Sequence, residues 1–484
     1  MKRLNIRHGT ALLLGGVLSP GVLVLPQLGA AVAGPASVLA WAALLLLSAP
    51  VAVTFATLGM RYPDGGGVAA FTRRAFGDRT AAVVGIWFYG VIPIGTFAGA
   101  LVGAEQAAAA LGLGRAAALT GAVLLMAAAF AANAAGLHTS GRVQMWLLTL
   151  LVMLLTTAVI TAGTHATSAN LTPFAPHGLG GIAVAIGVLL FAFVGWEAAS
   201  HLSAEFSADG APGAGGTGSA HSVGGASAAV RLPSGASGAD STDGVSGASG
   251  ASGISGVGGA AGAGGGGHAG GRRVLLRSTQ AALAIVGALY LALAVATVGV
   301  LGPRAAEPGA LGALLETGIG PASRPILAVA AVLLSFGGIN TYLAGASRLG
   351  AALARDGVLP RWFARGGEPG AVPARSLGLL GAMTALFAVP IVVLDLDLDF
   401  LLRVTAACLA AVTVVGAASA VRLLPPGRER RTAITATLLS AAALACCGAY
   451  LIVPILLGVG TLLTVRRRKP AFVPVAAVRT VQMR

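Results

Sequence analysis

The stretch "FAFVGWEAASHLSAEF" (residues 191–206) sets two carboxylates and a histidine into an otherwise apolar run. Glu197, His201 and Glu205 recur every four residues, which puts them on one face of a helix. That set has the chemistry of a metal site, but a closed site wants a fourth ligand and none is spaced to supply it. A hydrated face lining an inner vestibule is the simpler reading, and no metal is assigned. Glu197 differs from the other two because Gly195 and Trp196 precede it directly. A carboxylate near mid-bilayer costs about 2.5–3.5 kcal/mol on insertion scales, so it points into a bundle or a cavity. Trp196 and Glu197 are therefore candidates for gating or coupling. The plain alternative for Glu197 is a buried acid bonded to nearby backbone.

A second unusual stretch is "GGVLSPGVLVLP" (residues 15–26), where two prolines and three glycines interrupt a long apolar run. Proline in a helix interior removes a backbone bond and clashes with the preceding turn, at about 3 kcal/mol or more. Inside a membrane such a gap is tolerated only where protein or a water-filled hollow satisfies the freed groups. The interruption at Ser19, Pro20 and Gly21 is expected to face a cavity.

No catalytic grouping accompanies these breaks. His8, His138, His165, His177, His221 and His268 scatter over loops and termini, and no Ser/His/Asp or Cys/His set recurs. "GAGGGG" lacks the Lys-Ser/Thr that completes a phosphate-binding loop. Neither an enzyme nor an ATP-driven pump is indicated, and no cofactor is implied. Cys408, Cys446 and Cys447 lie in apolar runs without disulfide partners across a loop and read as packing residues.

The elements that hold the breaks follow from composition. The 484 residues are 56% hydrophobic and 10% charged, against about a quarter charged in soluble domains, and mean hydropathy is +0.86. Apolar runs near twenty residues recur throughout and predict about twelve membrane helices. They fall near 9–33, 36–60, 80–110, 115–135, 143–163, 180–203, 276–301, 324–350, 375–394, 400–423, 432–447 and 449–465. The last two join so tightly around Gly448 that eleven spans is the alternative count. The first run reads as a retained span, since no small-residue cleavage site follows it. With the N-terminus cytoplasmic, 27 of the 31 Lys and Arg fall on the inner side, all but Arg115, Arg304, Arg324 and Arg403. The positive-inside rule thus accounts for the net charge of +15 better than a nucleic-acid partner does. The resulting expectation is a multi-pass protein of the plasma membrane with both termini cytoplasmic. The acidic run Asp395, Asp397 and Asp399 reads as a solvated outer loop.

Four regions emerge. Residues 1–206 carry the first five spans and the sixth, and 273–423 carry the next four. Residues 424–484 carry two terminal spans and a basic tail. Between them, 207–272 is a Gly/Ala/Ser-rich insert with no apolar face to bury, expected to be a flexible cytoplasmic coil. The loop "RYPDGGGVAAFTRRAFGDR" (61–79) is different: apolar residues interleave with Arg73 and Arg74 in a short amphipathic stretch suited to the inner interface.

The two interruptions fall in the first and sixth spans, five spans apart. Paired broken segments at corresponding places in two halves point to the binding site of a secondary transporter. Helix starts offer N–H groups to an anion, and unwound carbonyls accept from a cation. A zwitterionic α-amino acid fits both.

The chain resembles the amino acid–polyamine–organocation superfamily of transporters, and within it bacterial exporters of methionine and branched-chain amino acids. "GVLVLP" (21–26), "RYPDGGGVAAF" (61–71), "VIPIG" (91–95), "FAFVGWEAASHLSAEF" (191–206) and "GGINTYLAGASRLGAALARDGVLP" (337–360) carry that resemblance. It implies an all-α membrane fold of two inverted five-helix repeats followed by two further spans. It also implies a substrate-carboxylate loop at Ser19, Gly21 and Val22, with Pro20 in place of a hydroxyl residue and so one amide fewer. The Ser19 hydroxyl is the candidate compensation. The ammonium-accepting carbonyls fall around Phe191, Ala192 and Phe193, beside Gly195. Phe336 and Asn340 are candidate pocket-lining residues, with inter-helix hydrogen bonding as the alternative for Asn340. The fifth span, "RVQMWLLTLLVMLLTTAVI" (142–160), lacks the lysine that couples protons in some members.

The function so implied is secondary active transport of apolar amino acids by alternating access, in the direction of efflux. It would be driven by a coupling ion, proton or sodium, or by an exchanged amino acid. The alternative is a transport-deficient membrane sensor or scaffold of the same fold.

Overall fold

The computed structural model describes residues 20–62, 67–136, 141–193, 196, 265–366, 372–394 and 396–465, with the single positions 10 and 14. Every regular element among them is helical. The first half contains α1 (Leu25–Ala33), α2 (Ser37–Arg61), α3 (Gly67–Phe76), α4 (Asp78–Ala110), α5 (Arg115–Ala134), α6 (Gly141–Gly163) and α7 (Gly178–Leu189). The second half contains α8 (Gly265–Leu301), α9 (Ala310–Ile319), α10 (Ser323–Arg355), α11 (Ala374–Val393), α12 (Leu398–Leu423), α13 (Arg428–Ala445) and α14 (Ile452–Thr464).

Most helix bounds fall within a few residues of the apolar runs. Length and composition identify seven described helical stretches able to cross a membrane, the first being Leu25–Arg61 taken whole. An eighth is the pair Arg428–Ala445 and Gly448–Thr464, which bends by 114°. Gly448, at φ +55°, supplies the backbone that L side chains rarely adopt. The remaining apolar helices are short: Leu148–Gly163, Gly178–Phe193 and Ala310–Ile319. Gly34 ends α1 at φ +60°, and a Cβ there would sit 2.8 Å from Pro176 Cγ. Of the expected insert, 207–264 lies outside the described residues, and its last eight positions already belong to α8.

The centre of the molecule is α4, which packs along α10, α5, α12 and α14. Glycines make that closeness possible. A Cβ at Gly95 would lie 2.9 Å from Thr405 Cγ2 of α12, and one at Gly103 would lie 2.6 Å from Ser335 Oγ of α10. Pro93 sits inside α4 without ending it. Around this centre α7 packs on α1 and α2, and α8 on α2 and α6. The amphipathic α3 lies against α4 and α12, with Val68, Phe71 and Thr72 buried and Arg73 and Arg74 exposed.

Candidate functional site

Pro20–Leu23 forms a 3-10 turn, and α1 follows from Leu25. Val24 joins them: its N–H donates to the Gly21 carbonyl at 3.0 Å, and its own carbonyl accepts from the Leu28 N–H at 3.1 Å. The opening amides of a helical segment have no acceptor within it. Pro20 brings no amide, so Gly21 carries the first amide of this turn. Val22 is buried one residue further in.

The second stretch expected to break also contains a 3-10 turn. α7 ends at Leu189 and tightens into a 3-10 turn over Leu190–Phe193. Leu190–Phe193 is the last described part of this apolar run before Trp196, and Phe191, Ala192 and Phe193 all lie in its 3-10 turn. The two turns touch each other. Pro20 and Gly21 from one and Phe191 from the other line a single cavity.

That cavity has a volume of about 30 Å³, room for a water or two at roughly 10–15 Å³ each. Gly95, Thr96, Gly99 and Val102 of α4 form one wall, Gly338, Ile339 and Tyr342 of α10 another, and Leu402 of α12 closes it. Among the described residues no charged side chain lines it, and the Thr96 hydroxyl donates to the Ile92 carbonyl at 2.8 Å. The arrangement is an apolar chamber walled by the backbone of two 3-10 turns and by two long helices.

The other predicted residues take different places. Ala192 is fully buried. Phe193 and Trp196 line a second cavity. Phe193 also joins an aromatic cluster, its ring centroid 5.9 Å from that of Trp41 and 5.8 Å from that of Tyr290. Phe336 is half-buried against the core. Asn340 points to α5, where Asn133 Nδ2 donates to its Oδ1 at 2.6 Å. This is the inter-helix bond weighed above, and the cavity wall is made by its neighbours Gly338, Ile339 and Tyr342. Ser19, Gly195, Glu197, His201 and Glu205 lie outside the described residues. Among the described residues no group of three or more His, Cys, Asp or Glu is placed to hold a metal.

Sequence reasoning did not identify the α4 wall. Its signal was present as Gly95, Gly99 and Gly103, glycines every fourth residue that bring one helix face close to its neighbours. Trp41 and Tyr290 carried no comparable signal, since aromatics in apolar runs read as ordinary packing.

Long apolar helices define a multi-pass α-helical membrane protein. The sequence profile of the family described as "Amino acid permease" matches residues 4–224 and 248–475. The chain therefore belongs to the amino acid permease family, a family of transport proteins and not of enzymes. It is 26% identical over 418 residues to the uncharacterized amino acid permease YecA of Bacillus subtilis, covering 86% of this chain and 84% of that one. Over 208 residues it is 36% identical to the L-methionine/branched-chain amino acid exporter YjeH of Escherichia coli, covering 42% and 49% of the two chains. The branched-chain amino acid permease BcaP of B. subtilis is 29% identical over 217 residues, covering 40% and 46%.

Proposed function

We propose that this protein is a secondary transporter of apolar α-amino acids working by alternating access at the cell membrane. The substrate carboxylate bonds to the Gly21 amide, with Val22 and the Ser19 hydroxyl beside it. Its ammonium bonds to the carbonyls of Phe191, Ala192 and Phe193. The side chain enters the apolar chamber between α4 and α10. One observation carries this reading: Gly21 and Phe191, from interruptions about 170 positions apart in sequence, line the same cavity.

The absence of lining charge disfavours acidic and basic substrates, because an unpaired charge brought into such a chamber has no partner. The chamber is narrower than the roughly 300–1,000 Å³ usual for small-molecule sites. Binding therefore requires α4 and α10 to part from the two turns. Twelve spans arranged as two inverted five-helix repeats plus two, with cytoplasmic termini, place that cavity between the repeats. The names of the Escherichia coli exporter and the B. subtilis branched-chain permease support leucine-like substrates, and the former supports efflux. Drive comes from a proton or sodium gradient or from exchange for a second amino acid.

Counterflow of radiolabelled leucine, methionine and alanine in proteoliposomes tests this reading. Wild type should exchange at least one of them, and Gly21→Leu should lower the flux at least about tenfold, equivalent to about 1.4 kcal/mol of lost binding. Equal flux in the two proteins would remove the binding role of the loop. No flux in wild type would favour the sensor reading, for which the amide missing at Pro20 is the motivating feature.

A further inference from the structure

A second cavity lies beside the turn over Leu190–Phe193. Leu190, Phe193 and Trp196 line it from that stretch, Leu47, Ser48 and Val51 from α2, Ala410 and Thr413 from α12, and Ser440 from α13. Its walls are apolar except for three hydroxyls and an indole. Two of those polar groups have no hydrogen-bond partner among the described residues: Trp196 Nε1 and Ser440 Oγ. Both residues are almost completely buried, at 1% and 3% exposure. The other two have spent their protons. Ser48 donates to the Leu44 carbonyl at 2.9 Å and Thr413 to the Leu409 carbonyl at 3.0 Å, so each oxygen is left as an acceptor.

A buried donor left unpaired is costly, and native interiors rarely contain one. The cavity volume is about 20 Å³, and a buried water needs roughly 10–15 Å³ and two to four polar partners. A water can accept from the Trp196 indole and donate to two of the hydroxyls. A sodium ion suits the hydroxyl oxygens but would face the indole N–H, a group that only donates. Among the described residues no charged side chain lines the space.

We propose that this cavity binds one structural water bridging Trp196 to Ser440, and that Ser440 thereby positions the Trp196 gate. The bridge ties the moving end of the sixth span to α13, a helix beyond the ten-span transport core. Opening of the sixth span then requires the bridge to part, so α13 sets how readily the gate moves. The gating part rests on the transport reading above; the water does not.

The test uses the full-length protein in lipid nanodiscs with ¹⁵N-labelled tryptophan. The chain has five tryptophans and so five indole N–H signals, and Trp196→Phe identifies the relevant one. In wild type that signal should show magnetisation transfer from water despite burial. Ser440→Ala should abolish the transfer and shift the Trp196 signal while leaving the other four in place, which also reports an intact fold. In counterflow Ser440→Ala should change the maximal rate and leave half-saturation unchanged. An unmoved Trp196 signal, or one without water transfer in wild type, overturns the site. A moved signal with unchanged rate overturns the gating role alone. Loss of flux in wild type counts against the transport reading and leaves the spectroscopic result to decide the site.

Discussion

Pro20 shows how a residue that breaks helices can still suit its position. At the opening of a helical segment its missing amide costs little, and its fixed φ is already helical. Its ring lies in a notch between two glycines: a Cβ at Gly99 would be 3.9 Å from Pro20 Cγ, and one at Gly338 would be 3.5 Å from Pro20 Cδ. Both are ordinary contact distances, so a methyl fits there and a longer side chain must enter the chamber itself. A size series follows. Gly338→Ala should keep most of the counterflow, and Gly338→Leu should abolish it while the protein still elutes as a single folded species. Equal loss in both would show that Gly338 serves helix packing alone. The missing amide was legible in the sequence as a proline inside an apolar run. The notch was not, because Gly99 and Gly338 lie far from Pro20 along the chain and meet it only through tertiary packing.

Helix α3 illustrates how much of an element can be read in advance. Its amphipathic pattern was legible in "GVAAFTRRAF", and the structure buries Val68 and Phe71 beneath it as that pattern requires. Its partners were not legible, since they lie hundreds of positions away. Arg73 bonds to Asp356 at the end of α10 and pairs with Asp78 at 3.2 Å. Arg422 of α12 donates to the Ala75 carbonyl at 3.2 Å and lies over the Phe76 ring at 4.5 Å. The Tyr62 hydroxyl donates to the Leu423 carbonyl at 3.1 Å. These ties join α3 to the ends of two helices of the second half. Exposed ion pairs contribute about 0–1 kcal/mol each and weaken with salt, so these ties hold α3 only weakly. Asp356→Asn should raise the labelling rate of an Ala75→Cys probe by a water-soluble maleimide, and added salt should narrow the difference from wild type. A rate independent of both would mean that α3 is held by its apolar face alone.

At the scale of the whole molecule, helix bounds were legible because apolar runs are long and bilayer thickness is fixed. The two interruptions are expected because Pro and Gly punctuate such runs so plainly, and the described part of each is a 3-10 turn. Which side chains meet across the cavity was not legible, since inter-helix register depends on packing that no single segment encodes. The insert belongs to the opposite case, in which composition implies the absence of a packed role. The family profile passes from residue 224 to 248 and leaves out 225–247, a stretch inside that insert. If those residues only extend a flexible connection, removing them changes loop-closure entropy slightly, because even halving a loop alters it by only about 0.6 kcal/mol. Deletion of 225–247 should then leave leucine or methionine counterflow and the melting temperature unchanged in proteoliposomes of purified protein. Purification matters to the argument, since a docking role would need a soluble partner that such vesicles lack. The same deletion is therefore compared in intact cells and in vesicles. Loss of transport in cells with normal flux in vesicles would assign the insert to a partner, and equal behaviour in both would leave it a passive tether to α8.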